Sequence, residues 1–236
     1  MSIVYIAHRG LHDKNLIENS MEAFKECLKK NIAIELDLQL TKDKKVVVFH
    51  DRSLKRMTGV DKYVDELTYE EIKNIKLKNS NLTIPLFKDV LNLVSDKVLL
   101  DIEIKHYKNI LSLTREVNKL LKNYNNYMVK SFNPIIPYIY KRKSPNISCG
   151  VLVGNLDNTG LPKFIKRILL DLKYLKLYKP DFIAYNIKEI NDEIIKKIRK
   201  KNISLYLFTI KTKEELNMAK KLSNTLIIEG VKTDWT

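Results

Sequence analysis

I-A-I-E-L-D-L-Q-L (residues 32–40) alternates apolar and polar side chains with period two. In an extended strand that spacing sends Ile34, Leu36 and Leu38 to one face and Ala33, Glu35, Asp37 and Gln39 to the other. L-L-D-I-E-I-K (99–105) repeats the device, with Asp101, Glu103 and Lys105 opposite Ile102 and Ile104. A single strand of this kind reads most simply as half exposed, with one face in water. These two belong to a chain whose β-branched runs alternate with helical-period segments from end to end, the pattern of a parallel sheet whose faces are covered by crossover helices. Carboxylates aimed into a covered interior repel one another and lose hydration unless a cation compensates.

The alternation continues on both sides of these runs. Strands are predicted at 3–8, 32–38, 46–50, 98–104, 127–132, 147–153, 181–185, 203–209 and 226–231, and helices near 20–30, 68–76, 86–95, 107–122, 134–142, 161–176, 191–201 and 213–222. Ser20 and Thr212 stand at N-cap positions, each with acidic residues in the turn that follows. The strand count in 236 residues suits an α/β barrel of eight strands, with an open doubly wound sheet as the other architecture the alternation allows. Residues 51–85 are too long for an ordinary connection and carry a small helix of their own, so they read as an insertion over one face.

Lys and Arg number 43 against 28 Asp and Glu, a net charge of +15. Such a balance is the usual first hint of a nucleic-acid partner. Here, however, the lysines are dispersed, as at Lys42, Lys44, Lys45, Lys73, Lys76, Lys196, Lys197, Lys200 and Lys201, with no basic arm or zinc finger, and the expectation is solvated helix faces and no nucleic acid. With 44% hydrophobic residues the composition is that of a packed globular protein, read as one domain over 1–236. No apolar run approaches a membrane span, and M-S-I-V-Y-I-A-H-R-G lacks the features of a secretion signal, so a cytoplasmic location is expected. Cys27 and Cys149 lie in apolar stretches and read as reduced, structural thiols.

Active sites of parallel α/β barrels collect at the carboxyl ends of the strands. There His8 and Arg9 follow the first strand, and His50 and Asp51 follow the third. Glu35, Asp37 and Glu103 offer three hard oxygen ligands, a set that suits Mg²⁺ or Ca²⁺ and not zinc. A lone strand-end His is usually a hydrogen-bonded structural residue, but two of them near a candidate metal fit a general acid and base. Arg9 and Lys105 add fixed positive charge suited to phosphate. His12 and His106 read as surface or loop residues.

Together these residues resemble the glycerophosphodiester phosphodiesterase family, which shares its barrel with phosphatidylinositol-specific phospholipase C. The matching pieces are A-H-R-G (7–10), E-N-S (18–20) with A-F (23–24), I-E-L-D (34–37), T-K-D (41–43), H-D-R-S-L-K-R-M-T-G (50–59), I-P (84–85), D-I-E-I-K (101–105), S-F (131–132) and V-K-T-D (231–234). The resemblance implies a TIM (β/α)8 barrel with a small cap insertion, about 52–84, after the second strand region. It implies one divalent cation on Glu35, Asp37 and Glu103, His8 and His50 as acid and base, and phosphate contacts from Arg9 and Lys105. Glu18 and Asn19 would support these groups, and Asp51 would orient a catalytic side chain. The implied reaction splits glycerophosphodiesters into glycerol 3-phosphate and an alcohol. The rival readings are lysophospholipase D chemistry at a membrane surface, and a non-catalytic phosphate- or membrane-binding barrel; the complete set of His8, His50, Glu35, Asp37 and Glu103 speaks against the second.

The departures fall in the second half. L-F-T-I-K (207–211) stands where the family often has W-T-V-N, so Phe208 replaces the aromatic wall of the substrate pocket and Lys211 the Asn. Trp235 and Thr236 follow Asp234 where a proline and a last helix are common. L-P-K-F-I-K-R-I-L-L-D-L-K-Y-L-K-L-Y-K (161–179) interleaves apolar residues with Lys163, Lys166, Arg167, Lys173, Lys176 and Lys179. It reads as an outer barrel helix, and also as a basic surface capable of peripheral contact with anionic lipid.

Overall fold

The structure, a computed structural model, describes residues 2–105, 107–154, 162–176, 178, 180–231 and 233. Of the residues singled out above, His106, Leu161, Lys179, Lys232, Asp234, Trp235 and Thr236 lie outside the described residues, as does the side chain of Lys176. Chain contacts divide the described residues into two compact units, one over 7–127 and one over 128–233 together with the residues before Ala7.

The first unit contains α1 (Met21–Lys29), β2 (Ala33–Leu40), β3 (Val46–Val48), α2 (Lys55–Thr58), α3 (Tyr69–Ile72), α4 (Phe87–Val94), β4 (Leu100–Ile104) and α5 (Ile110–Leu120). Ser20 caps α1, its hydroxyl accepting from the Ala23 N–H at 3.2 Å, and α1 buries Ala23, Phe24 and Cys27. β2 and β4 run parallel in the register Glu35 to Asp101 and Asp37 to Glu103, which puts the carboxylates of both strands on one face. Glu35, Asp37, Asp101 and Glu103 are all buried.

β3 departs from the expected parallel order. It pairs antiparallel with β2, Leu38 opposite Val48 and Leu40 opposite Val46, and the Phe49 N–H donates to the Asp37 carbonyl at 2.9 Å. Residues 41–45 are therefore a hairpin turn, and the returning arm carries His50 back alongside the middle of β2. Thr41 and Asp43 hold that turn and extend it into the next segment: the Thr41 hydroxyl donates to Asp43 Oδ1 at 2.6 Å, and the Tyr69 N–H donates to the same oxygen at 2.9 Å.

Residues 52–84 carry the expected helix as α3, capped by Thr68 and Glu71, together with α2 and a 3-10 turn at Val64–Glu66 that the sequence pattern did not reveal. They bury Leu54, Val64, Leu67, Ile72, Leu77 and Ile84 in a cluster with Val47 and Phe49 of the hairpin. The segment is thus packed by its own apolar side chains, and each buried Leu or Ile contributes about 1.5–3 kcal/mol by leaving water.

The second unit contains β5 (Tyr127–Ser131, its first residue in the other unit), α6 (Ile135–Lys143), β6 (Ser148–Val153), α7 (Lys163–Leu170), β7 (Phe182–Asn186), α8 (Asp192–Lys200), β8 (Ser204–Ile210), α9 (Lys213–Leu222) and β9 (Thr225–Ile228). β5 to β9 pair in sequence, all parallel where registers are defined. Gly150 on β6 leaves room for the Phe182 ring, which a Cβ there would meet at 2.2 Å, and Phe182 stacks on Tyr206 with centroids 4.3 Å apart. β1 is Val4–Ala7. Strands that alternate with helices and pair in parallel within each unit are those of the TIM (β/α)8 barrel class, with β3 added antiparallel to β2. Both cysteines are buried and free, and burial pushes each thiol up to about 12. Among the described residues no helix is long and apolar enough to cross a membrane.

Candidate active site

Glu35, Asp37 and Glu103 each present a carboxylate oxygen, and these oxygens lie within 4.8 Å of one another. Three carboxylates on a buried face need compensation, and two side chains supply part of it. Lys105, itself buried, donates to Glu103 Oε1 at 2.7 Å and Asp37 Oδ1 at 3.2 Å. Arg9 Nε lies 3.5 Å from Asp37 Oδ2. Burial works to raise the Asp37 pKa, but Lys105, His50, Arg9 and the Asn19 amide outweigh it and hold the carboxylate well below its usual range. Burial likewise works against the Lys105 ammonium, and the charges of Glu103 and Asp37 more than offset it, so its pKa is raised.

The loop after β1 is pinned from several sides. Arg9 and Asn19 both take left-handed backbone, φ 56° and 54°, between which Gly10 (φ 79°) packs so closely on α1 that a Cβ would fall 2.9 Å from Ala23 Cβ. That conformation is held by the Arg9 N–H donating to Glu35 Oε2 at 2.9 Å and the Asn19 N–H donating to the Arg9 carbonyl at 2.8 Å. The Asn19 side chain donates to Asp37 Oδ2 at 2.8 Å, and Arg9 Nη1 donates to Glu18 Oε1 at 2.8 Å. Glu18 and Asn19 therefore bear on Arg9 and Asp37 respectively. His8 directly follows β1.

His50 arrives from the other side, on the returning arm of the hairpin. Its Nδ1 is 2.6 Å from Asp51 Oδ1. Partial burial works to raise the Asp51 pKa, but hydrogen bonds from His50 and Arg56 and the guanidinium charge hold it far below the carboxylate norm. An ionised Asp51 can only accept, so the shared proton sits on His50 Nδ1.

Three residues near these groups were not singled out as site residues. Gln39, the next member of the Glu35 and Asp37 face, donates from Nε2 to the carbonyls of Phe49 (2.8 Å) and Asp51 (2.6 Å), fixing the backbone on both sides of His50. The Tyr107 hydroxyl donates to the His50 carbonyl at 3.2 Å. Arg56, on α2, binds both Glu18 and Asp51. Gln39 was legible from its period-two position, and Arg56 lies inside the 50–59 motif. Phe208 lies in the second unit, edge-on to Phe132 with centroids 6.3 Å apart. Lys211 there pairs with Glu229 at 2.6 Å. His12 Nδ1 lies 3.1 Å from the Gly10 carbonyl.

The glycerophosphoryl diester phosphodiesterase family model matches residues 8–236. The chain belongs to that family. It is therefore an enzyme, a phosphoric diester hydrolase. The phosphodiesterase is 30% identical, over 99% of its length and 95% of the relative's, to a glycerophosphodiester phosphodiesterase of Caldanaerobacter subterraneus subsp. tengcongensis. Its fold matches the crystal structure of a Thermotoga maritima glycerophosphodiester phosphodiesterase with TM-score 0.76 and 25% identity, covering 97% of this chain and 95% of that one. It also matches an Oleispira antarctica phosphodiesterase, solved in complex with the product sn-glycerol-3-phosphate, with TM-score 0.80 and 19% identity over 95% and 92% of the two chains.

Proposed function

We propose that this phosphodiesterase hydrolyses glycerophosphodiesters to glycerol 3-phosphate and an alcohol, using one Mg²⁺ or Ca²⁺ held by Glu35, Asp37 and Glu103. The carrying observation is the buried triad of carboxylate oxygens within 4.8 Å. Bonds of about 2.0–2.6 Å from one hard cation place its ligand oxygens at most about 5 Å apart, so the triad has the right size and donor type. Charge agrees as well. Lys105 and Arg9 do not fully offset the three carboxylates, Arg9 being shared with Glu18, and a divalent ion would supply positive charge that an anionic diester needs. The bound cation would polarise a phosphoryl oxygen and stabilise charge developing on it.

The chain's own residues do the rest. Arg9 and Lys105 bear on the remaining phosphoryl oxygens. His50, its Nδ1–H bound to Asp51, presents Nε2 to a hydroxyl or leaving oxygen, and His8 serves as its counterpart, one taking the nucleophile's proton while the other protonates the leaving alkoxide. Residues 52–84 act as the cap of a single catalytic domain over 1–236. The test is glycerol 3-phosphate release from glycerophosphocholine and glycerophosphoethanolamine with added Mg²⁺ or Ca²⁺. Release from at least one diester is expected; none from any glycerophosphodiester would end this reading.

A second, peripheral reading rests on α7. Phe164 and Leu170 are 64% and 43% exposed beside Arg167, a pairing of apolar and basic groups suited to an anionic lipid surface. Matched acylated and deacylated substrates, with and without anionic vesicles, separate it from purely soluble turnover.

A further inference from the structure

Arg56 belongs to the 52–84 segment and touches none of the three clustered carboxylates through any hydrogen bond described above. Its guanidinium nonetheless makes four hydrogen bonds, all to two carboxylates that each hold a proposed catalytic or phosphate-binding group. Nε and Nη2 donate to Asp51 Oδ2 and Oδ1 at 2.5 and 3.1 Å, while Nη2 and Nη1 donate to Glu18 Oε1 and Oε2 at 2.6 and 3.1 Å. Asp51 Oδ1 is also the partner of His50 Nδ1, and Glu18 Oε1 is also the partner of Arg9 Nη1. One planar fork thus joins the hairpin arm that carries His50 to the loop that carries Arg9.

We propose that Arg56 is a positioning residue that sets the orientation of the His50 imidazole relative to the Arg9 guanidinium. A carboxylate with a single charged partner can rotate about its last bond, whereas one gripped at both oxygens cannot. Arg56 grips both oxygens of Asp51 and both of Glu18, which a lysine, with one point charge and no planar fork, does not reproduce. The helix that carries it is one short turn, closed by Gly59 at φ 81° and preceded by Leu54, which is fully buried in the segment's own core. Seating of residues 52–84 and alignment of His50 are consequently one event. This inference rests on the roles proposed above for His50 and Arg9.

The experiment compares full-length wild type, Arg56→Met, Arg56→Lys, Asp51→Asn and the Arg56→Met/Asp51→Asn double variant, all on glycerophosphocholine at saturating Mg²⁺, with melting temperatures measured alongside. Arg56→Met is expected to lower kcat by roughly 30- to 100-fold with KM changed less than about 3-fold. Arg56→Lys should recover little of the loss, added guanidinium at tens of millimolar should recover part of it in Arg56→Met, and the double variant should be no slower than the slower single. A kcat within about 2-fold of wild type, a loss confined to KM, full recovery in Arg56→Lys, or multiplying losses in the double variant would overturn the inference. If Arg56→Met does not fold, Arg56→Lys at unchanged melting temperature decides the matter: a drop in kcat supports it and a wild-type kcat refutes it. A separate readout needs no substrate. The ¹⁵N signals of His50, assigned by their loss in His50→Gln, should show one ordered Nδ1–H tautomer in wild type and a broadened or mixed state in Arg56→Lys; identical spectra would refute the inference. An inactive wild type with the expected spectra would overturn the proposed function and leave the role of Arg56 standing.

Discussion

The strand pair β2–β4 and the strands β6–β7 are all parallel and almost wholly buried, yet they bury opposite kinds of side chain. β6 and β7 bury Cys149, Val151, Leu152, Val153, Phe182, Ile183, Ala184 and Tyr185, the near-continuous apolar run expected of a strand covered on both faces. β2 and β4 interrupt the same kind of run with Glu35, Asp37, Asp101 and Glu103 at every second position. Burying that many carboxylates destabilises a fold unless charges offset them, so the deviation marks the place where chemistry outweighs packing.

The contrast is tested most severely by like-for-like substitutions on the two strand sets. Glu35→Gln is expected to weaken divalent-metal binding at least about 100-fold and to abolish most turnover, whereas Ile183→Val should cost about 0.5–1.5 kcal/mol in denaturant unfolding and leave kcat unchanged. An active, metal-binding Glu35→Gln would erase the distinction. Next in size, His50→Ala should keep the metal affinity and lose about 10²- to 10⁴-fold in kcat; loss of metal along with turnover would move His50 into the ligand set.

Acid titration of stability comes next. Glu18 and Asp51 both have pKa values below the ordinary carboxylate range in the folded protein, against the raising effect of burial, chiefly through their hydrogen bonds to Arg56, His50 and Arg9. A lowered folded pKa gives stability that is present above the unfolded values near 4 and is lost as pH falls toward the folded ones. The melting-temperature advantage of wild type over Arg56→Met, present at pH 7, should shrink below about pH 4; an advantage constant down to pH 2 would show that these carboxylates do not carry it. In the apolar half the effects are smaller. Phe208→Ala should lower stability in denaturant unfolding by at least the loss of its edge-on contact with Phe132, worth about 0.5–1.5 kcal/mol, without touching metal affinity. Smallest on catalysis is the double change Phe164→Ser with Arg167→Glu, expected to leave soluble diester turnover within about 2-fold while removing co-sedimentation with anionic vesicles.

Much of this was legible in the sequence, and the reasons are physical. Period two is a backbone property, so Glu35, Asp37 and Glu103 could be aligned before any strand partner was known, and the β2–β4 register confirms their common face. Strand direction is a long-range property, and nothing local in V-V-V-F-H told that β3 returns antiparallel instead of opening a new parallel strand. His50 consequently reaches the neighbourhood of Asp37 by a hairpin and not by the strand-end rule that singled it out. Lys105 could be placed on the carboxylate face, but only the packed side chains reveal that its ammonium bridges Glu103 and Asp37. Arg56 escaped because α2 is a single turn, too short for periodicity, and because its two partners lie 5 and 38 positions away.

The most direct trial is a titration of metal-stripped enzyme with Mg²⁺ or Ca²⁺ while glycerol 3-phosphate release is followed. Cooperation of Glu35, Asp37 and Glu103 around one ion requires the rate to climb from background to its maximum along a single-site curve, with binding by calorimetry at one ion per chain. Full turnover in stripped enzyme, or a rate that ignores the added ion, would show that the buried carboxylates serve some other purpose.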